Sequence, residues 1–464
     1  MKRKNWVRLD NASNIFLAAM TASDTKVFRL SAAMGDAVDP GLLQQALDKT
    51  YEQYVLYHSV LRRGFFWYYL EDSDLKPVVR PDLQPPCAAL YHFDRKELLF
   101  RVVYHRNRIH LEVFHALSDG TGALWFFEDL LNEYAMLRYP ENFGGMDQKE
   151  RDRLKEQSED SFAHYFRKGK QNFSEEAQSA IRALTKAGKL AVSYGEKATR
   201  YLDPFPLENQ RKERVYRVRG KKTPDNRPHV IEMEMPVKAV LQLAREQQTT
   251  LTMYLTAVFI EATRRTNPHP KKARTIAVSV PINLRQFYPS HSARNFFSTT
   301  RLAYTYGQTG DDSLAAICAT LKEQFQGQIT PASLENKLNR LIAFEYNPFT
   351  RIIIRPIKDI ILRLVNLFNN RNLTVAISNL GRVSLPEPID GYVQRLYLQT
   401  AAVRPQFCAL SHGEHLTVCF TSPFVETNIQ EQFAIILTEA GVSVTVAANK
   451  VTSAELGGVE HETL

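Results

Sequence analysis

Apolar and polar positions alternate with period two through Ile109-His110-Leu111-Glu112-Val113-Phe114-His115. Ile109, Leu111 and Val113 share one face of a strand, and His115 ends that face. A turn, Ala116 to Gly120, leads into helical spacing at Leu124, Phe127, Leu131 and Tyr134, with Thr121 read as the cap. Residues 98–104 alternate similarly and turn at Arg106-Asn107, which predicts an antiparallel hairpin with 109–115. Upstream, residues 27–32 and 65–70 read as strands. Asp39-Pro40 opens an amphipathic helix to about Tyr57.

The pattern lapses over 141–225, where charge is dense and apolar content low, and this stretch reads as a helical insertion and crossover linker. It resumes with strands at 229–235, 275–282, 296–304, 373–378, 393–398, 407–412, 416–422 and 442–447. Helices are predicted at 237–247, from Thr249 or Thr252 to Arg265, and at 311–326, 331–344 and 426–440. The expected class is α+β, with lobes at 1–140 and 226–464. Residues 349–368 combine Ile352, Ile353, Ile354, Ile357, Ile360, Ile361, Leu364 and Leu367 with Arg351, Arg355, Lys358 and Arg363 around Pro356. They read either as a helix on anionic lipid, a peripheral membrane contact, or as a core-facing helix with a basic outer side.

Composition changes this picture little. The chain has 464 residues, enough for more than one core, and its 44% hydrophobic and 23% charged content is ordinary for a globular protein. A net charge of +9 favours anionic partners, but no RNA- or DNA-binding signature is present, so nucleic acid is set aside. The four cysteines are widely spaced without a CxxC pair, which suits a reducing compartment, and a cytoplasmic location is expected. No metal is expected: His105, His110 and His115 recur along two strands without converging on one ion.

A histidine at the inner end of a strand can serve as a general base. His115-Ala116-Leu117-Ser118-Asp119-Gly120 fits the HxxxDG motif of the CoA-dependent acyltransferase superfamily. Leu61-Arg62-Arg63-Gly64-Phe65 resembles the "LR" segment of condensation domains. Pro281-Ile282-Asn283-Leu284-Arg285 with Arg294-Asn295-Phe296-Phe297-Ser298 resembles a "VNLR…NFF" loop, and Ser378-Asn379-Leu380-Gly381-Arg382 a "SNLG" segment. Together these are most similar to the bacterial alcohol acetyltransferase-like branch. Phe114 stands where condensation domains carry a second histidine, and no plant-type DFGWG segment is present.

The resemblance implies two chloramphenicol-acetyltransferase-like lobes with a tunnel between them, in which acyl-CoA meets an alcohol at His115. Acetyl-CoA is one candidate, and no permanently bound cofactor is implied. The alternatives are an acyl group on an acidic carrier protein, and a non-catalytic lipid- or partner-binding relative. His115 would be the base, and Asp119 a brace paired with Arg62 or, failing that, Arg63. Gly120 would serve backbone geometry and leave the tunnel open. Ser378 would be the oxyanion donor, with its neighbour Asn379 on the opposite parity; the bland reading of Ser378 is a turn residue before Gly381. Asn283, Arg285, Arg294 and Asn295 would border the substrate and CoA, the two arginines either meeting phosphates or bracing the loop. The cluster Arg264, Arg265, Lys271, Lys272 and Arg274 would meet CoA phosphates or form a solvated helix end.

Overall fold

The computed structural model describes residues 6–142, 215–266, 274–307, 310–330, 333–339 and 355–457. Most of the predicted insertion, Lys271, Lys272, part of the helix predicted at 331–344 and residues 349–354 lie outside the described residues.

The first half contains β1 (Trp6–Arg8), α1 (Asn11–Ala19), β2 (Val27–Met34), α2 (Pro40–Gln53), β3 (Ser59–Arg63), β4 (Tyr68–Asp72), β5 (Arg80–Pro81), β6 (Phe100–His105), β7 (Arg108–Phe114) and α3 (Gly120–Arg138). The second adds β8 (His229–Pro236), α4 (Val237–Glu246), α5 (Leu251–Arg265), β9 (Thr275–Asn283), β10 (Phe297–Thr305), α6 (Leu314–Gln328), α7 (Arg355–Arg371), β11 (Val375–Val383), β12 (Val393–Thr400), β13 (Gln406–His412), β14 (His415–Ser422), α8 (Asn428–Glu439), β15 (Thr445–Ala448) and α9 (Ser453–Gly457).

The expected hairpin is present: β6 and β7 pair antiparallel, with Val102 opposite Leu111 and Phe100 opposite Val113. Ile109, Leu111 and Val113 are fully buried, as their parity requires, in a core shared with Phe126, Phe127, Leu130 and Leu131 of α3. The opposite parity is buried too. Glu112 is inaccessible, accepts from Arg29 Nε at 2.7 Å and from the Cys87 amide at 2.7 Å, and also pairs with Arg101. Alternation therefore reported the strand correctly and understated its burial.

Two large sheets carry the architecture. The N-terminal sheet runs β12-β2-β7-β6-β5, and the C-terminal sheet runs β10-β9-β11-β13-β14-β8-β15. A third sheet, β1-β4-β3, stands apart from them. The division into 1–140 and 226–464 needs correction at one strand. β12 belongs by sequence to the second half but pairs antiparallel with β2, Leu398 opposite Leu30. Leu396 and Leu398 thereby enter the first core, where burial of each branched side chain contributes about 1.5–3 kcal/mol. Residues from 215 on belong with the second lobe rather than a linker, since Val215 bridges Thr275 and Lys222 bridges Phe424.

Caps differ in detail from the expectations. Asp119, not Thr121, caps α3 by accepting from the Gly122 amide at 2.9 Å. Thr250 caps α5 and accepts from the Met253 amide at 3.3 Å. Helix α1 was absent from the reading of residues 1–30, although Asp10 and Ser13 announce it: the Asp10 carboxylate accepts from the Ser13 amide at 2.7 Å.

Helix α7, the described part of the predicted 349–368 segment, packs on α1. Its Leu362 and Val365 face the cavity described below, whereas Ile357, Ile360 and Leu367 are exposed. The segment is thus neither wholly core-facing nor wholly a surface helix. Among the described residues no helix is long and apolar enough to cross a membrane.

Candidate active site

Strand β7 ends at Phe114, and the His115 amide donates to the Lys26 carbonyl at 2.8 Å, so the strand edge fixes the backbone under the imidazole. Three phenylalanines surround the ring. Phe16 of α1 stacks on it at 4.1 Å between centroids, Phe28 meets it edge-on at 5.1 Å, and Phe297 lies at 5.7 Å.

The ring's polar contact comes from the second half of the chain. His115 Nδ1 lies 3.1 Å from Asn295 Oδ1. The amide nitrogen of Asn295 donates to the His115 carbonyl at 2.8 Å and to Ser13 Oγ at 3.0 Å. Those two bonds orient the amide so that Oδ1 accepts, which assigns the ring proton to Nδ1 and leaves the Nε2 lone pair free to accept a proton. Burial lowers the His115 pKa from its ordinary value, with Asp119 and the Asn295 bond acting in the opposite sense. The imidazole is therefore neutral at physiological pH, as proton abstraction requires.

Asp119 makes no hydrogen bond to His115. Its carboxylate accepts from Arg285 Nη1 at 2.7 Å, from the Phe296 amide at 2.9 Å and from the Gly122 amide. The arginine paired with Asp119 is Arg285, not Arg62 or Arg63. Arg62 instead lies 3.4 Å from Glu71 and is about half exposed, because β3 turns its end toward solvent. Arg63 reaches the Tyr91 hydroxyl at 3.2 Å. Nothing in the order of residues along the chain signals that an arginine 166 positions away closes the turn.

The loop 283–296 likewise braces the site. Arg285 Nη2 donates to the carbonyls of Ser292 and Arg294, at 2.7 and 2.8 Å. Arg294 is buried, donates to the Arg8 carbonyl at 2.8 Å, and lies 3.5 Å from Asp10, the cap of α1. Asn283 accepts from the Arg285 amide at 3.0 Å. Of the two open readings for these arginines, phosphate contact or loop brace, the geometry supports the brace. The outer cluster is also engaged: Arg264 and Arg265 pair with Glu261, and Arg274 lies over the Tyr216 ring.

A cavity of about 430 Å³ opens beside the imidazole between the two halves of the chain. His115 and Gly120 line it from one half, Ser378 and Phe297 from the other. Asn379 is not part of this wall: its amide donates to Thr252 Oγ1 at 2.8 Å and accepts from the Gly381 amide at 2.8 Å. That turn gives Gly381 a φ of +77° and shifts the register of β11 between Asn379 and Arg382.

At Gly120 an added Cβ would come 3.0 Å from Leu380 Cδ2, a contact with a movable side-chain end. Its φ is not positive, so the expected backbone reason does not apply there. The tight glycine is Gly122, where a Cβ would stand 2.2 Å from the Ala293 carbonyl oxygen. The helix start and the loop meet there without room for a methyl group. Sequence reasoning passed over Gly122, since a glycine in the first turn of a helix carries no spacing signal.

Phe16, Gly122 and the pairings of Arg285 and Asn295 are thus the parts of the site that sequence reasoning missed. All depend on which segments fold against the HxxxDG turn.

No curated protein matches the chain significantly. Among solved structures, it is similar to polyketide synthase associated protein 5 from Mycobacterium tuberculosis, with TM-score 0.55 and 13% identity over 93% of this chain and 96% of that one. The first condensation domain of the calcium-dependent antibiotic synthetase gives TM-score 0.56 and 15% identity, covering 94% and 96%. A trichothecene 15-O-acetyltransferase from Fusarium sporotrichioides gives TM-score 0.58 and 7% identity, covering 94% of each chain. These likenesses establish the two-lobed condensation-domain and acetyltransferase fold. The alcohol acetyltransferase family model matches residues 96–401, a span that includes the HxxxDG turn, the 283–296 loop and β11. That span is well over half of the sequence, and the chain belongs to the alcohol acetyltransferase family.

Proposed function

We propose that the protein transfers an acyl group from acyl-CoA to the hydroxyl of an alcohol, with His115 as general base. The observation that carries this reading is the imidazole itself, neutral and held through Nδ1 by Asn295 at the wall of a cavity shared by both lobes. In the step proposed, Nε2 takes the hydroxyl proton as the alkoxide oxygen bonds to the thioester carbonyl carbon. Collapse of the tetrahedral intermediate breaks the carbon–sulfur bond, and the imidazolium returns the proton to the thiolate. The products are an ester and free CoA, with no acyl-enzyme between. Ser378 is proposed as donor to the oxyanion, a contribution worth about 2.7–4 kcal/mol where such donors have been removed. Asp119, Arg285 and Asn295 position the base and do not touch substrate.

The donor is tested by offering the same alcohol with acyl-CoA or with the acyl group on a phosphopantetheinyl carrier protein, and identifying the product by mass spectrometry. Ester formation from acyl-CoA supports the reading; turnover from the carrier alone moves the protein to carrier-dependent transfer. The exposed Ile357, Ile360 and Leu367 of α7, interspersed with Arg363, support a peripheral contact with anionic lipid as part of the same proposal. Co-flotation with anionic but not neutral vesicles is the expected result.

A further inference from the structure

The cavity is not uniform along its length. The side that α7 presents to it passes from Ile361, Leu362 and Val365 to Asn366, Asn369 and Asn370, so an apolar wall gives way to amides over the last turns of the helix. Arg404, in the loop between β12 and β13, lines the same end. The Ala401 amide donates to the Val27 carbonyl at 2.9 Å, which brings this loop beside Asp24 and Lys26, both also in the wall.

Charge at this end does not balance. Asp24 is already paired with Lys26 at 2.5 Å, and the described residues place no carboxylate within ion-pairing distance of Arg404. Among the described residues the Arg404 guanidinium reaches only Asn370, through its carbonyl at 3.5 Å and its side-chain oxygen. Burial lowers its pKa to about 10, against a smaller opposing effect of Asp24, so it remains a cation that burial disfavours. A partly desolvated charge without an opposite charge costs free energy that two neutral hydrogen bonds to the end of α7 do not neutralise. Along its whole length the wall carries five arginine and lysine side chains against two carboxylates, Asp24 and Asp359.

We propose that Arg404 is the anchor of an anion subsite in the acyl-transfer cavity, and that the acceptor is a hydroxy acid. Its carboxylate sits on the Arg404 guanidinium, its hydrocarbon portion lies along Leu362 and Val365, and its hydroxyl is presented to His115. This rests on the acyltransferase reading for the identity of the hydroxyl's partner, but the anion subsite itself does not. Asn366 and Asn369 supply neutral hydrogen-bonding groups beside the cation.

The test is calorimetric binding of a series of ω-hydroxyalkanoates, from short to long, against the matching alkanols, using the full chain. A charge-assisted pair predicts that at some chain length the hydroxy acid binds about tenfold to a hundredfold more tightly than the alkanol. Arg404→Gln should abolish that preference while leaving alkanol affinity unchanged, and Arg404→Lys should keep part of it. The proposal is overturned if no chain length shows a preference, or if the preference survives Arg404→Gln. It is also overturned if the Gln variant weakens both ligand series alike with a lowered melting temperature, which would make Arg404 only a cap for the end of α7. Turnover is then compared with acyl-CoA and acyl-pantetheine donors. An Arg404→Gln defect confined to acyl-CoA assigns the cation to the nucleotide phosphates and likewise overturns the acceptor assignment. Absence of turnover from every donor, with the binding preference intact, strikes the acyltransferase reading and leaves the subsite standing.

Discussion

At the scale of single residues, the site depends on which group touches which. His115 is proposed as the base because Asn295 holds its Nδ1 and three phenylalanines pack around its ring. Burial disfavours the imidazolium, so protonation on acidification comes late. The acid limb of kcat/KM is therefore expected below pH 6.5, the ordinary imidazole value, with a flat profile through neutrality. Phe16→Ala admits water and should move that limb up toward 6.5; a pH–rate profile of the two proteins checks it. Asn295→Ala frees the ring to turn and to take the other tautomer. The expected loss in kcat is about tenfold to a hundredfold, at or below the ~10²–10⁴ of general base catalysis itself.

Asp119 and Arg62 separate a brace from a surface charge. Asp119→Ala leaves Arg285 buried without its counter-charge, a loss of about 3–5 kcal/mol measured by denaturant unfolding. Arg62→Ala removes an exposed pair with Glu71 and should change stability by no more than about 1 kcal/mol. The HxxxDG turn was readable from the sequence because a strand's parity, a short turn and a helix's spacing are all local. The arginine was not, because the "LR" segment lies near the motif in sequence while Arg285 reaches Asp119 only after the second lobe has folded against the first.

At the scale of elements, strand and helix placements were legible wherever one face is apolar and the other polar. The hairpin 100–114 and helices α2, α4, α6 and α8 follow from that contrast, whereas α5 is buried on every side from Met253 to Thr263 and was marked by a threonine cap. Helix α1 was not legible, since it is short and Asn14, Ile15 and Phe16 show little contrast of faces; only its Asp10 cap marked it. It nevertheless carries Phe16, and its start is held by Arg294 through Asp10 and the Arg8 carbonyl. The α3 start is fixed just as closely. Gly122→Ala drives a methyl group into the Ala293 carbonyl and should cost about 1–3 kcal/mol as overpacking. Gly120→Ala meets only the end of Leu380, so its melting temperature should stay nearer the wild type's while the cavity narrows.

At the scale of the whole molecule, the lobes are interlocked as well as adjacent. β12 leaves the second half to complete the N-terminal sheet, and Glu232 of β8 accepts from Arg108 at 2.8 Å and from Gln399 at 2.6 Å, tying the two sheets together. The division into two lobes was legible from two runs of strands and helices separated by a charged stretch. The exchange was not, because residues 393–400 carry the same alternating pattern whichever sheet receives them. Residues 1–225 produced alone lack β12 and expose the β2 edge, so they are expected to aggregate or remain unfolded. Co-production with 226–464 should restore a soluble complex on size-exclusion chromatography.

The same interlocking places the proposed reaction between lobes. His115 comes from one half; Asn295, Arg285 and Ser378 come from the other. The central claim is that the imidazole is the base for transfer from a thioester. Thiol release from a panel of acyl-CoAs, with cell extract as the source of acceptor, tests it most directly when wild type is compared with His115→Ala. The account predicts acceptor-dependent release by wild type and a fall of about 10²-fold or more in the variant. Equal rates for the two proteins would contradict it.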